Sequence, residues 1–452
     1  MEPKRKTYEI DMCTGALLPK ILLFTLPLMA SSILQLLFNA ADIIVVGRFA
    51  GDAALAAVGA NTALINLLVN FFMGLSIGAN VLVARYYAGN QKRDLDDVVH
   101  TAMTVSIISG IILNAIGVIF ARQILIWMAT PNEVLPLAVI YLRIYFFGMI
   151  AMMVYNFGAA ILRAVGDTRR PLYYLIFAGV VNVLLNLLFV ILFHMSVAGV
   201  GLATVISQCI SGGLVLRCLI RADGSIALDL RRLRINRAQF GRILRIGIPA
   251  GFQGMLFSIS NVIIQSTINS FGTIVVAGSS AAANIEGFVY VAMNAFHQAA
   301  LSFTGQNYGA GKKERIIKIL LWSELCVFVT GTLLGRLACF FGHPLLGLYS
   351  RSEDVIAAGM IRLLYICGVY ALCGMMDVSV GVLRGLGYSI GPMFITLIGV
   401  CGLRLFWIFT FFRWPMFHSI ENLYMTYPVT WTITIIANLI YLAIVWKKIK
   451  KA

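Results

Sequence analysis

Leu162-Arg163-Ala164-Val165-Gly166, followed by Pro171, returns later in the chain as Leu383-Arg384-Gly385-Leu386-Gly387, followed by Pro392. Two further pairs flank this one. Tyr87 through Lys92 returns as Tyr308 through Lys313, and Leu26-Pro27 returns as Ile248-Pro249. Three anchors in the same order, at an offset of about 221 residues, identify an internal duplication.

The duplicated sequence is almost all apolar. Of its 452 residues, 60% are hydrophobic and 12% charged, with a mean hydropathy of +0.89; about a quarter of an ordinary soluble domain is charged. A helical crossing of a bilayer takes roughly 20 apolar residues. Twelve such stretches are centred near Met29, Val69, Ile108, Met149, Val183 and Ser207, then Ser258, Val291, Phe328, Tyr370, Leu403 and Ala437. The expected fold is therefore an all-α polytopic membrane protein, with twelve transmembrane helices in two six-helix lobes. The expected divisions are an N-terminal lobe over 1–220, a basic cytoplasmic linker over 221–240 and a C-terminal lobe over 241–452. An even number of crossings per half starts both halves on the same side, so a pseudo-two-fold axis along the membrane normal is expected. Such duplication is transporter architecture.

Charge sets the expected orientation. Of the 35 Lys and Arg residues, 27 fall at the termini, including Lys4, Arg5 and Lys6, or in even-numbered loops such as those assigned Arg231 to Arg237 and Arg384. The positive-inside rule then makes both termini cytoplasmic in a multi-pass protein of the cell membrane. Topology accounts for the net charge of +16 with no nucleic-acid partner, and the Arg-rich segment is expected along anionic headgroups. The polar Met1 to Asp11 followed by a long apolar stretch reads as a retained first span, not a signal peptide. Eight cysteines without Cys-x-x-Cys spacing, and histidines at 100, 194, 297, 343 and 418 without ligand spacing, argue against a metal site, a disulfide framework and a membrane-embedded enzyme.

The chemistry is sought among polar groups at bilayer depth, where an unpaired charge is costly. Ser31, Gln35, Asn39 and Asp42 share one face of the first helix. Asp42 is flanked by Ile43-Ile44-Val45-Val46; it either binds a proton or cation, or pairs with Arg48. Glu286 shares a face with Tyr290, Asn294 and His297, and Asp377 with Tyr370. Each acid is an ion-coupling candidate or a partner of Arg336, Arg362 or Arg404. Glu324 reads as an interface residue. The repeat places Asn156 opposite Asp377 and apolar residues opposite the other two acids. Pro27 and Pro249 each remove a backbone hydrogen bond within a first span, as a hinge or a static kink.

These features resemble the multidrug and toxic compound extrusion (MATE) family. The resemblance rests on the two-times-six layout, Leu26-Pro27, Asp42 with Val46-Gly47-Arg48, Gly305-Gln306-Asn307-Tyr308-Gly309-Ala310-Gly311 and the paired Leu-Arg-x-x-Gly segments. It implies secondary antiport, in which H+ or Na+ entry drives export of small amphipathic organic cations, with no resident cofactor. The family's first-helix acid matches Asp42, and Asp377 stands near a tenth-helix acid. Asn186 stands where one branch carries a fifth-helix Asp, and Phe257 and Ser258 stand near a seventh-helix acid. On this reading Asp42, Glu286 and Asp377 couple the ion. Gln35, Asn39, Asn156, Asn182, Asn186, Tyr290, Asn294, His297 and Tyr370 line the substrate path in a monomer. The alternative within the superfamily is a lipid-linked oligosaccharide flippase, which a wide cavity of Arg and Lys would favour; only Arg143, Arg336 and Arg404 are expected as mid-membrane cations.

Overall fold

The computed structural model describes residues 8–128, 130–222 and 224–451; Lys4, Arg5 and Lys6 lie outside the described residues. Among the described residues ten helices are long and apolar enough to cross a membrane, and two bent pairs, each taken as one span, bring the number to twelve. In chain order they are α1 (Leu17–Phe49), α2 (Asp52–Ala88), α3 (Lys92–Ile119), α4 (Leu135–Phe147 with Met149–Ala164), α5 (Arg169–Leu192) and α6 (Ser196–Ile220). The second series is α7 (Arg237–Asn269), α8 (Thr273–Gly309), α9 (Lys313–Phe340), α10 (Glu353–Val369 with Ala371–Gly385), α11 (Ile390–Arg413) and α12 (Ile420–Lys451). No strand occurs among the described residues. Each of the twelve apolar centres read from the sequence falls on one of these spans. Leu184, Leu192, Leu333 and Ile398 keep 57–65% of their surface exposed, which suits contact with acyl chains.

The repeat holds to the residue in places. Helices α2 and α8 each span 37 residues, and α3 and α9 each span 28. The Leu162 and Leu383 motifs are helix stops. Gly166 (φ 97°) and Gly387 (φ 89°) are the left-handed residues of two Schellman caps. Gly166 N donates to Arg163 O at 3.0 Å and Asp167 N to Leu162 O at 2.9 Å; Gly387 N donates to Arg384 O at 2.8 Å and Tyr388 N to Leu383 O at 2.9 Å. A Cβ on Gly166 would also lie 2.5 Å from Ile10 O. The Tyr87 and Tyr308 segments end α2 and α8 with the same cap, Asn90 (φ 52°) standing in one half where Gly311 (φ 71°) stands in the other.

Two spans are not straight. Helix α4 bends by 46° at Gly148 and α10 by 44° at Tyr370, just after a 3-10 turn over Cys367–Val369. Continuous hydrophobicity across both breaks hid them from a reading by composition.

The described chain divides into two units. Unit 1 is residues 1–12 and 30–251, and unit 2 is residues 13–29 and 252–452. The division differs from the lobes expected at 1–220 and 241–452. The start of α1 belongs to unit 2 and the start of α7 to unit 1. The exchange falls two residues after Pro27 and two after Pro249. Packing holds these segments in place. In unit 1, Gly74 and Gly78 of α2 meet α7 backbone so closely that a Cβ on Gly74 would lie 2.2 Å from Gly251 N, the small-residue crossing that membrane helices favour. In unit 2, the Phe24 ring meets Phe303 edge-on at 5.6 Å.

The basic linker is tied down within unit 1. Arg232 Nη2 contacts Asp96 Oδ2 at 2.8 Å and Arg234 Nη2 contacts Asp97 Oδ1 at 2.7 Å, while Gln239 Nε2 donates to Asp94 Oδ1 at 2.8 Å. Carboxylates at the start of α3 therefore take charges that the sequence assigned to lipid headgroups.

Candidate functional site

In unit 1 the site is built where α1 meets α5. A Cβ on Gly179 of α5 would lie 1.8 Å from the Phe38 ring of α1, so only glycine permits this approach. One turn along α1 from Phe38, Asp42 Oδ1 accepts a hydrogen bond from Asn186 Nδ2. The same amide group lies 3.2 Å from Asn182 Oδ1, four residues earlier on α5. Asn182 and Asn186 are 5% and 1% exposed. Asn186 Oδ1 has no hydrogen-bond partner among the described residues. Tyr141 and Tyr145 of α4, with ring centroids 5.8 Å apart, lie within electrostatic reach of Asp42. An acid, two amides and two phenols thus converge at bilayer depth, a set able to hold a proton or a small cation.

Not every expected residue joins it. Asp42 is held by Asn186 and not by Arg48, which is exposed. Gln35 and Asn39 are exposed on α1. Asn156 spends its amide on its own helix, donating to Met152 O at 2.9 Å.

In unit 2 the expected residues separate into distinct groups. Glu286 of α8 is paired, and its partner is one of the three arginines weighed from the sequence, Arg362. Arg362 of α10 grips it at 2.7 Å (Nε to Oε1) and 2.9 Å (Nη2 to Oε2). Arg362 Nη1 also donates to Ser279 Oγ at 2.7 Å, and Tyr424 Oη of α12 donates to the same hydroxyl at 3.2 Å. A bidentate pair so enclosed fixes helices in register.

Asp377 lies within electrostatic reach of Arg384 and Tyr290, and its backbone carbonyl is 2.6 Å from His297 Nδ1. Asn294 lies beside Tyr290 on the same helix. Tyr370 leaves this group and stacks on Trp431 at 5.5 Å.

Sequence reasoning missed Arg384 as a site residue by placing it in a loop. It is 5% exposed at the end of α10 and donates to Gln253 Oε1 at 2.9 Å. Arg404 of α11 is 3% exposed, lies 3.9 Å from the Tyr427 ring centroid and donates from Nε to Thr430 Oγ1 at 3.1 Å. Of the three cations expected at mid-membrane, Arg143 and Arg336 are exposed and only Arg404 is enclosed. The missed signal was spacing. Arg384 lies seven residues, two helical turns, after Asp377 and so shares its face.

Outside the spans, Asp167 caps the start of α5, its Oδ1 accepting from Arg169 N and Arg170 N at 3.1 Å each. Burial pushes its carboxyl above the usual carboxylate range, against the pull of those hydrogen bonds and of Arg170.

The sequence is 27% identical over 436 residues to the probable multidrug resistance protein YoeA of Bacillus subtilis, covering 94% of this chain and 93% of that protein. It is 24% identical over 403 residues to the FAD transporter of Shewanella oneidensis, covering 87% of each. A multidrug resistance MATE family transporter of the MOP superfamily, solved in an outward-facing conformation, has the same fold. Its TM-score is 0.92 at 20% identity, over 99% of this chain and 100% of that one. The MatE family matches residues 27–188 and again 249–410, once in each repeat. With both halves matched, the chain belongs to the MatE family of membrane transporters.

Proposed function

We propose that this protein exports amphipathic, often cationic, drugs or metabolites across the cell membrane in exchange for protons or sodium, by alternating access. Drug transport is supported by the multidrug names of the relatives. The observation that carries ion coupling is Asp42, a carboxyl held by Asn186 within an apolar span. Binding of H+ or Na+ there neutralises a buried charge and shifts the population toward one conformation. Substrate favours the other, and this difference links ion entry to drug exit. Asp377, beside Arg384, is a second candidate acid, whereas Glu286 serves as the structural partner of Arg362. The reading carries with it cytoplasmic termini and a functional monomer.

The test is retention of a fluorescent lipophilic cation in efflux-deficient bacteria expressing wild type or Asp42→Asn. Loss of dye with wild type and retention with the variant supports antiport through Asp42. Loss with both moves coupling to Asp377. Retention with well-expressed wild type across a dye panel removes the multidrug reading.

A second reading, export of an anionic aromatic compound, is favoured by Arg404. Its guanidinium is enclosed by Tyr427 and Trp431 with Nη2 unpartnered among the described residues. A flavin nucleotide in the transport panel tests it.

A further inference from the structure

Glu324 of α9 stands apart from the acids above. Its stem is half-buried, yet both carboxyl oxygens are enclosed with no hydrogen-bond partner among the described residues. Helix α9 packs against α8 and α10, and Glu324 shares a helix face with Val327 and Gly331, three and seven residues on. Val327, one turn away, packs at the place where a Cβ on Gly374 of α10 would fall, 2.5 Å from Val327 Cγ2. Gly331, two turns away, meets Ala371 of α10 and Met293 of α8. Two hydroxyls in the same three-helix packing, Ser323 Oγ and Thr304 Oγ1, are also buried without a partner among the described residues.

The titratable and charged groups facing this packing are engaged elsewhere. On α8, Glu286 is paired with Arg362 and His297 is bonded to the Asp377 carbonyl. On α10, Arg384 donates to Gln253, and Asp377 faces Arg384 and Tyr290. On the short helix after α9, His343 contacts Glu353. On α9 itself Lys318 and Arg336 are exposed, so among the described residues no cation pairs with Glu324, and an enclosed carboxyl without donor or counter-ion is stable only with a proton on it.

The repeat shows that the position does not require an acid. Its counterpart at the offset of α3 from α9 is Met103, which is fully buried, and Ala102 takes the place of Ser323. One unit fills this position with an apolar side chain and the other with a carboxylic acid.

We propose that Glu324 is a proton-carrying group of unit 2. It is protonated in the conformation described and releases its proton when the α8–α9–α10 packing opens toward the Lys313 end. Ser323 and Thr304 supply hydroxyls through which bound water connects it to that end. The proposal rests on the export reading and adds a second proton site to Asp42.

The test uses the full chain, reconstituted in vesicles with a fluorescent lipophilic cation. Glu324→Gln fixes the neutral form, and Glu324→Met copies the other unit. Both are expected to keep dye counterflow while gradient-driven uptake under an imposed pH difference falls about tenfold. Gradient-driven uptake at the wild-type rate in both variants overturns the proposal, leaving a permanently neutral structural carboxyl. A second measurement needs no substrate. Infrared difference spectra between two pH values are expected to show a protonated-carboxyl band in wild type that is missing in Glu324→Gln. Absence of any Glu324-dependent band also overturns it. If wild type moves no dye but the band is present, the proton site stands and the export reading fails.

Discussion

Replacing Arg362 with Met strips the counter-charge from Glu286 and strands a carboxylate inside unit 2. The pair is enclosed, at 8% and 6% exposure, with two charge-assisted contacts of 2.7 and 2.9 Å. Removing one partner of such a pair costs about 3–5 kcal/mol, because the remaining charge is buried and uncompensated. At about 2–4 °C per kcal/mol for a domain of this size, the melting temperature is expected to fall by about 10 °C. The double variant Glu286→Gln with Arg362→Met removes both charges and is expected to recover most of that loss, as replacing a whole buried pair is often neutral. The assay is melting of the detergent-purified protein by fluorescence-detected size-exclusion chromatography, with wild type, both single variants and the double forming a cycle. An Arg362→Met protein within about 2 °C of wild type, or a double variant no better than it, refutes the reasoning. The cycle also reads function. Dye export by the double variant removes Glu286 from any coupling role.

Gly166→Ala introduces both an unfavourable left-handed φ and a contact with Ile10 O, and is expected to cost at least about 1–2 kcal/mol, read as a lower melting temperature. Gly179→Ala drives a methyl into the Phe38 ring and is expected to cost about 1–3 kcal/mol. Phe38→Ala in the same chain is expected to return part of it, and no recovery in the melting curve would show that α1 and α5 do not meet there. Asn186→Leu leaves Asp42 without its donor; drug export is expected to change its pH dependence, measured as dye efflux across a pH series. Asp167 has a carboxyl raised by burial, so its contribution is fully present below the unfolded-state value and fades as pH rises through the folded-state value. Asp167→Asn, which keeps the cap acceptor, is therefore expected to gain stability over wild type as the pH is raised from mildly acidic to neutral, checked by paired melting curves.

The spans and the duplication were legible because both are written in one dimension. Hydrophobic length gives a crossing, and a Schellman glycine such as Gly166 or Gly387 marks where it stops. The bends at Gly148 and at Tyr370 leave no such trace, because apolar residues continue through them. Among site residues, Asp42 could be read from its apolar flanks. Its partnership with Asn186 could not, since it depends on Gly179 letting two helices touch. Glu286 shows the limit from the other side. Its place on one face with Tyr290 and His297 could be read along the helix, but the pairing with Arg362 of a neighbouring helix could not be singled out from three candidate arginines. Arg384 was misplaced because a charge near a helix end looks like a loop charge until tertiary packing encloses it.

Residues 13–29 fold with 252–452, and the start of α7 up to Gly251 folds with the first unit. Neither copy of the duplicated sequence therefore encodes a self-contained folding unit. Each unit is completed by a segment taken from the other copy of the repeat. During synthesis, unit 1 waits for Gly251 to emerge before it is complete. Residues 13–29 wait longer, since nearly everything they pack against is made after unit 1. Cys13 and Phe24 meet Gln306 and Phe303 only once α8 of the second series has been made.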